Sequence, residues 1–174
     1  MQEENKPISH ITAGLLIASA LIVYSLILNF AGLGNDPTFG YITYAILIIG
    51  IIVVIGMHAK AHDNRMTFGN LFAFGFKTSA VITIIFILFL IVFNILFPDL
   101  KEKGFEMVRE QLEEQGNMSD SQIDDALEMG RKFFWPGLIG GTLLFFLIIG
   151  AIASLIGAGI TKKKPVNPLD ELSV

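Results

Sequence analysis

Thr78–Pro98 reads TSAVITIIFILFLIVFNILFP, a stretch without a single Asp, Glu, Lys, Arg or His. A helix rises 1.5 Å per residue, so about 20 apolar residues cover a hydrocarbon core about 30 Å thick. A membrane β-strand needs a shorter segment that alternates with period two, and Val81–Val92 shows no such alternation. The stretch therefore reads as a membrane-crossing helix. Three further runs, Ile11–Gly32, Phe39–Met57 and Trp135–Thr161, also lack every ionisable residue and are each at least 19 residues long.

Composition agrees. Apolar residues make up 53% of the 174-residue chain and charged residues only 16%, and mean hydropathy is +0.65. A soluble domain carries about 25% charged residues. The expected fold class is all-α: a polytopic membrane protein with four transmembrane helices and an extracytoplasmic helical hairpin between the third and fourth. Read as a single membrane domain over 1–174, the spans fall at about 10–32, 39–57, 72–97 and 135–161. The hairpin occupies 99–134 and a disordered tail 162–174. The leader Met1–Ser9 sets Glu3 and Glu4 against Lys6, and the apolar run that follows exceeds a signal-peptide core. The first span is expected to remain uncleaved, although Ala18-Ser19-Ala20 has the residue sizes of a cleavage site.

The absence of Cys excludes disulfides, thiol nucleophiles and cysteine-type zinc sites. The formal charge of −4 comes mostly from one connection, so it does not argue for nucleic acid as a partner. Lys6, Lys60, Arg65, Lys77 and Lys162–Lys164 lie on the side of the termini. The opposite side has five basic residues, all in Asp99–Phe134, accompanied by ten acidic ones. An excess of Lys and Arg in short loops stays cytoplasmic, so both termini are expected in the cytoplasm. Tyr41, Tyr44, Phe97, Phe133, Phe134 and Trp135 gather at the outer boundary as an aromatic belt would.

Within Asp99–Phe134, Phe105, Val108 and Leu112 keep one helical face, and Gly116 stands where a glycine closes a helix. Ser119-x-x-Gln122 is a capping box, and Met118 with Ile123 takes the positions of a hydrophobic staple. The second helix then carries an acidic face, Asp120, Asp124, Asp125 and Glu128, the candidate contact for a protein partner. No break is evident before Trp135-Pro136, so this helix is expected to run almost directly into the last span.

Lipid tails are as apolar as Leu, so helices in a bilayer associate through close packing of small residues. Candidate packing positions are Gly14 and Ala18 in the first span and Gly137, Gly141, Gly150, Ser154 and Ala158 in the fourth, with Ala153 and Gly157 alongside. Contacts inside the bundle explain them better than a dimer face, although a homo-oligomer is a candidate assembly. His58 and His62, at i and i+4, have the spacing of a metal-binding pair. The residue after His58 is Ala59, and no third strong ligand is near in sequence. They read first as polar residues at a membrane boundary, and no metal or cofactor is assigned. Asn29 and Asn94 both fall near the outer ends of their spans, where each amide is the simplest partner for the other.

No Asp, Glu, Arg or His stands at membrane depth. Such residues cost at least about 2.5–3.5 kcal/mol there and persist for function in relays and ion-coupled carriers. Those classes fall away. A non-enzymatic structural or protein-interaction module in the lipid bilayer, contacting another membrane or periplasmic protein, is the expected role. A small oligomeric transporter with Asn29 and Asn94 near its entrance is the alternative, and a metal-dependent membrane enzyme using His58 and His62 is a third reading.

The whole-chain pattern resembles the bacterial family known as domain of unknown function 4199 (DUF4199) over roughly Lys6–Lys164. The resemblance rests on Thr67-Phe68-Gly69-Asn70-Leu71-Phe72 leading to Gly75-Phe76-Lys77, and on the Phe97-Pro98-Asp99 exit. It rests also on Met118-Ser119 with Gln122-Ile123, and on Ile156-Gly157-Ala158 with Lys162-Lys163-Lys164. It implies four membrane helices with an acidic helical insertion before the last, and a bacterial inner membrane. It implies no catalytic residue.

Overall fold

The computed structural model describes residues 7–34 and 37–164. Lys6, the Asn35-Asp36 part of the first turn and the tail from Pro165, expected to be disordered, lie outside the described residues. Six helices and no strand form among the described residues. They are α1 (His10–Phe30), α2 (Pro37–Ala61), α3 (Phe68–Leu96), α4 (Pro98–Gln115), α5 (Asp120–Lys132) and α6 (Phe134–Ile160). Four stretches are long and apolar enough to cross a bilayer: His10–Phe30, Thr38–Ala61, Phe68–Leu96 and Phe134–Ile160. This is a multi-pass membrane protein. Its apolar side chains point outward as well as inward: Leu16, Ile49, Leu88 and Phe145 are all 58–60% exposed, as lipid-facing positions must be.

Local chemistry sets the helix ends. Ser9 caps α1, its Oγ accepting from the Thr12 amide at 3.0 Å. Thr67 does the same for α3, accepting from Asn70 N at 3.2 Å. The α1 terminus closes with Leu33 N on Leu28 O at 2.9 Å and Gly32 N on Asn29 O at 3.2 Å, with Gly32 at φ +73°. This is a Schellman closure. The α2 terminus repeats it without glycine. Asn64 N donates to Ala59 O at 2.8 Å, Asp63 N donates to Lys60 O at 3.0 Å, and Asp63 and Asn64 sit at φ 54° and 60°.

Two helices run past the expected limits for the same reason. A helix ends where a cap forms rather than where hydrocarbon stops, so α2 continues beyond position 57 to Ala61 and α3 begins at Phe68, ahead of position 72. As expected, α5 runs almost directly into α6, with one short break between them. Proline has no N–H, and its ring meets the carbonyl four residues earlier. Pro136 therefore ends α5 at Lys132, and Phe133 alone separates it from α6.

The described residues divide into two compact units, one running up to Phe86 and resuming at Phe145, the other Ile87–Leu144. In the first, Leu21 of α1, Leu47, Ile51 and Ile55 of α2, Leu71 and Ile82 of α3 and Ala153 and Ala158 of α6 are buried. The Tyr24 hydroxyl donates to Phe39 O at 3.0 Å, joining α1 to the start of α2. Thr78, Ser79, Thr83 and Ser154 are buried polar residues, and each hydroxyl donates to a backbone carbonyl. In the second unit, Phe93 is buried among the rings of Phe89 and Phe97, and Ile123 and Leu127 are the buried face of α5.

Candidate functional site

Two places concentrate polar chemistry. The first lies where α2 and α3 meet the N-terminal segment. The His58 ring stacks on Phe74, with centroids 3.8 Å apart and planes 10° from parallel. Its Nδ1 lies 3.1 Å from Ile8 O, and His62 Nδ1 lies 2.8 Å from His58 O. A carbonyl only accepts, so both imidazoles carry their proton on Nδ1 when neutral. The two rings stand 4.5 Å apart. Among the described residues no group of three or more His, Cys, Asp or Glu is placed to hold a metal ion. Beside them is a cleft of about 280 Å³ lined by Ser9, His10, His58, Asn70, Ala73, Phe74 and Lys77. His62 is not part of that lining.

Cation-rich chain surrounds this end. Lys164 N donates to Asn64 O at 2.8 Å, pinning the start of the tail to the α2–α3 turn. Lys163 Nζ stands 5.4 Å from the centre of the Phe68 ring, a distance at which a cation is attracted to a ring face.

The second place is the α4–α5 pair. Arg109 hydrogen-bonds Asp124 and also stands 3.6 Å from Glu113, while Arg131 hydrogen-bonds Glu102. Pairing 109 with 124 and 102 with 131 makes the helices antiparallel. The Arg131 guanidinium lies 4.6 Å above the Phe105 ring. The Arg131 bond holds the Glu102 carboxyl below its ordinary value, and the Asp124 bond raises the Arg109 guanidinium above its own. These groups are solvated, so the pairs orient α4 and α5 more than they stabilise them. The turn between is closed by Gly116 at φ 65° and reopened by Ser119, whose amide donates to Gln122 Oε1 at 2.8 Å.

The acidic face of α5 is not uniform. Asp120, Asp125 and Glu128 are exposed and make no ion pair with a described residue. Asp124, expected among them as a partner contact, is turned to Arg109 instead. At 100° per residue it follows Ile123, the buried position that faces α4.

The small residues also separate. Gly14, Ala18, Gly150, Ser154 and Ala158 are buried. A Cβ on Gly14 would stand 2.6 Å from Val81 Cγ1, and one on Gly150 would overlap Ser79 Oγ. At Gly137 and Gly141 it would meet nothing within 4 Å. Asn29 and Asn94 each donate from Nδ2 to the carbonyl four residues back, Ser25 at 2.8 Å and Leu90 at 2.9 Å.

Position in the chain does not reveal that His10, Asn70 and Lys77 share a cleft with His58. One signal for it exists in the sequence: His10, His58 and Lys77 each abut a run free of ionisable residues.

The model of a family described as "Protein of unknown function (DUF4199)" matches residues 12–163. This chain belongs to that family. The match takes in all four spans of the DUF4199 chain almost completely, together with the α4–α5 pair and the α2–α3 turn. No curated protein and no solved structure matches the chain.

Proposed function

We propose that this DUF4199 protein is a non-enzymatic scaffold of a bacterial inner membrane. Its α4–α5 pair lies outside the cytoplasm and docks a partner protein with a basic surface. The observation that carries this reading is the division of labour on α5. Ile123 and Leu127 are buried and Asp124 is bound to Arg109, while Asp120, Asp125 and Glu128 stand exposed without an ion pair among the described residues. Like charges held together on one solvated face attract an opposite surface and speed its encounter. The reading also draws on the charge-free spans, which offer no proton or ion relay.

Crosslinking in native membranes tests the contact. Asp120→Asn, Asp125→Asn and Glu128→Gln together are expected to lower recovery of a crosslinked partner, with Asp124→Asn doing so only through loosening of α5. Unchanged recovery from the triple variant would count against the acidic face. Orientation has its own test: a reporter placed between Gly116 and Asn117 should be inactive if it needs the cytoplasm. Cytoplasmic activity there would invert the assignment of both termini.

A further inference from the structure

We infer that the cleft between the start of α1, the end of α2 and the first turns of α3 is a binding site for a phosphate group, supplied by an anionic phospholipid headgroup. The lining includes Lys77, His10 and Asn70, and no Asp or Glu belongs to it. Lys77 makes no ion pair with any described residue. Ser9 Oγ is occupied as the α1 cap and His58 Nδ1 by the Ile8 carbonyl. Lys77, His10 and Asn70 are therefore the groups left to face a ligand. An ammonium with flanking N–H donors suits a phosphate, which offers several acceptor oxygens and takes charge-assisted bonds.

Depth selects the source. His10 comes immediately before the charge-free run that opens at Ile11, His58 immediately after the run that ends at Met57, and Lys77 immediately before the run that opens at Thr78. Three helices thus bring the last ionisable residue before hydrocarbon to one cleft, the level at which lipid phosphates lie. Ala73 and Phe74 give the cleft an apolar wall, and beyond His10 the exposed Ile11 and Leu15 continue along α1 into the lipid-facing surface. A headgroup here has a path for its acyl chains that a free anion does not use. This inference does not depend on the orientation of the chain or on the α4–α5 pair.

The test uses the purified full chain in neutral detergent, titrated with phosphatidylglycerol, phosphatidylcholine or inorganic phosphate, with bound lipid counted by native mass spectrometry. Phosphatidylglycerol should be retained in preference to phosphatidylcholine, and Lys77→Gln should weaken it about tenfold, the loss of one charge-assisted bond. Lys77→Arg should keep it, and Lys60→Gln, an exposed cation outside the lining, should leave it unchanged. Equal retention by Lys77→Gln and the parent would overturn the site. So would an equal loss in Lys60→Gln, which would mean diffuse surface charge. Inorganic phosphate that displaces the lipid at equal concentration, through Lys77, keeps the phosphate site and overturns the headgroup as its source.

Discussion

Ser79 of α3 occupies the space that a side chain on Gly150 of α6 would need. A Cβ built on Gly150 overlaps Ser79 Oγ and comes within 2.5 Å of Ser79 Cβ, and that hydroxyl donates to Phe146 O at 3.3 Å. One turn away the exchange is reversed: a Cβ on Gly75 would meet Ser154 Oγ at 2.7 Å. Serine against glycine, twice and in opposite sense, lets α3 and α6 approach closely where no hydrophobic force between helices drives contact.

Gly150→Ala should therefore cost about 1–3 kcal/mol, because the obstructing atom is a Cβ fixed to the α3 backbone. Gly137→Ala, with nothing within 4 Å of the added carbon, should be neutral or gain up to about 1 kcal/mol of helix propensity. Unfolding of the purified chain by increasing dodecyl sulfate in mixed micelles compares the two. Adding Ser79→Gly to Gly150→Ala should recover part of the loss, and a cycle with no coupling would show that the two residues do not share the contact.

The α2–α3 turn depends on a non-glycine residue in the left-handed region. Asp63 at φ 54° holds the Schellman closure of α2. A β-branched residue there pays about 1–2 kcal/mol. Asp63→Val should lower stability by that amount and Asp63→Gly should not. Amide hydrogen exchange at Asn64 reports it locally: protection should fall in the first variant and persist in the second.

Acid should loosen α4 from α5 in a defined direction. Arg131 holds the Glu102 carboxyl below the ordinary value of 4.5, so the folded pair favours the carboxylate. Its contribution is complete above pH 4.5 and is lost as pH falls through the lower folded value. The effect is small and salt-sensitive because both groups are solvated. Between two spin labels on exposed α4 and α5 positions, the distance distribution should broaden below that pH in the parent. Glu102→Gln should broaden it at neutral pH and flatten the dependence on Glu102.

Pro136 is the physical cause of the break at Phe133. Replacing it by Ala restores a donor to Lys132 O, so Pro136→Ala should let α5 continue into α6. Protection of the residue 136 amide from exchange would show the new bond. An unprotected amide there would mean that the break has another cause.

The sequence alone determined which segments cross the membrane, since each span announces itself by about 20 residues without a charge. It also determined the turn between α4 and α5, because the Gly116 closure and the Ser119–Gln122 start depend on residues within four positions of one another. The family resemblance was readable at the same level.

Tertiary structure decided which small residues touch anything. Gly137, Gly141 and Gly150 are all glycines of α6, yet only Gly150 has Ser79 opposite, and that neighbour is 71 positions away in the chain. It decided that Asp124 serves Arg109 while Asp125 faces solvent, because one residue of helical rotation separates the face packed on α4 from the exposed one. It also gathered His10, His58 and Lys77 from three helices into one cleft. Spacing along a chain encodes what a helix presents on its own faces, and only packing specifies what stands opposite.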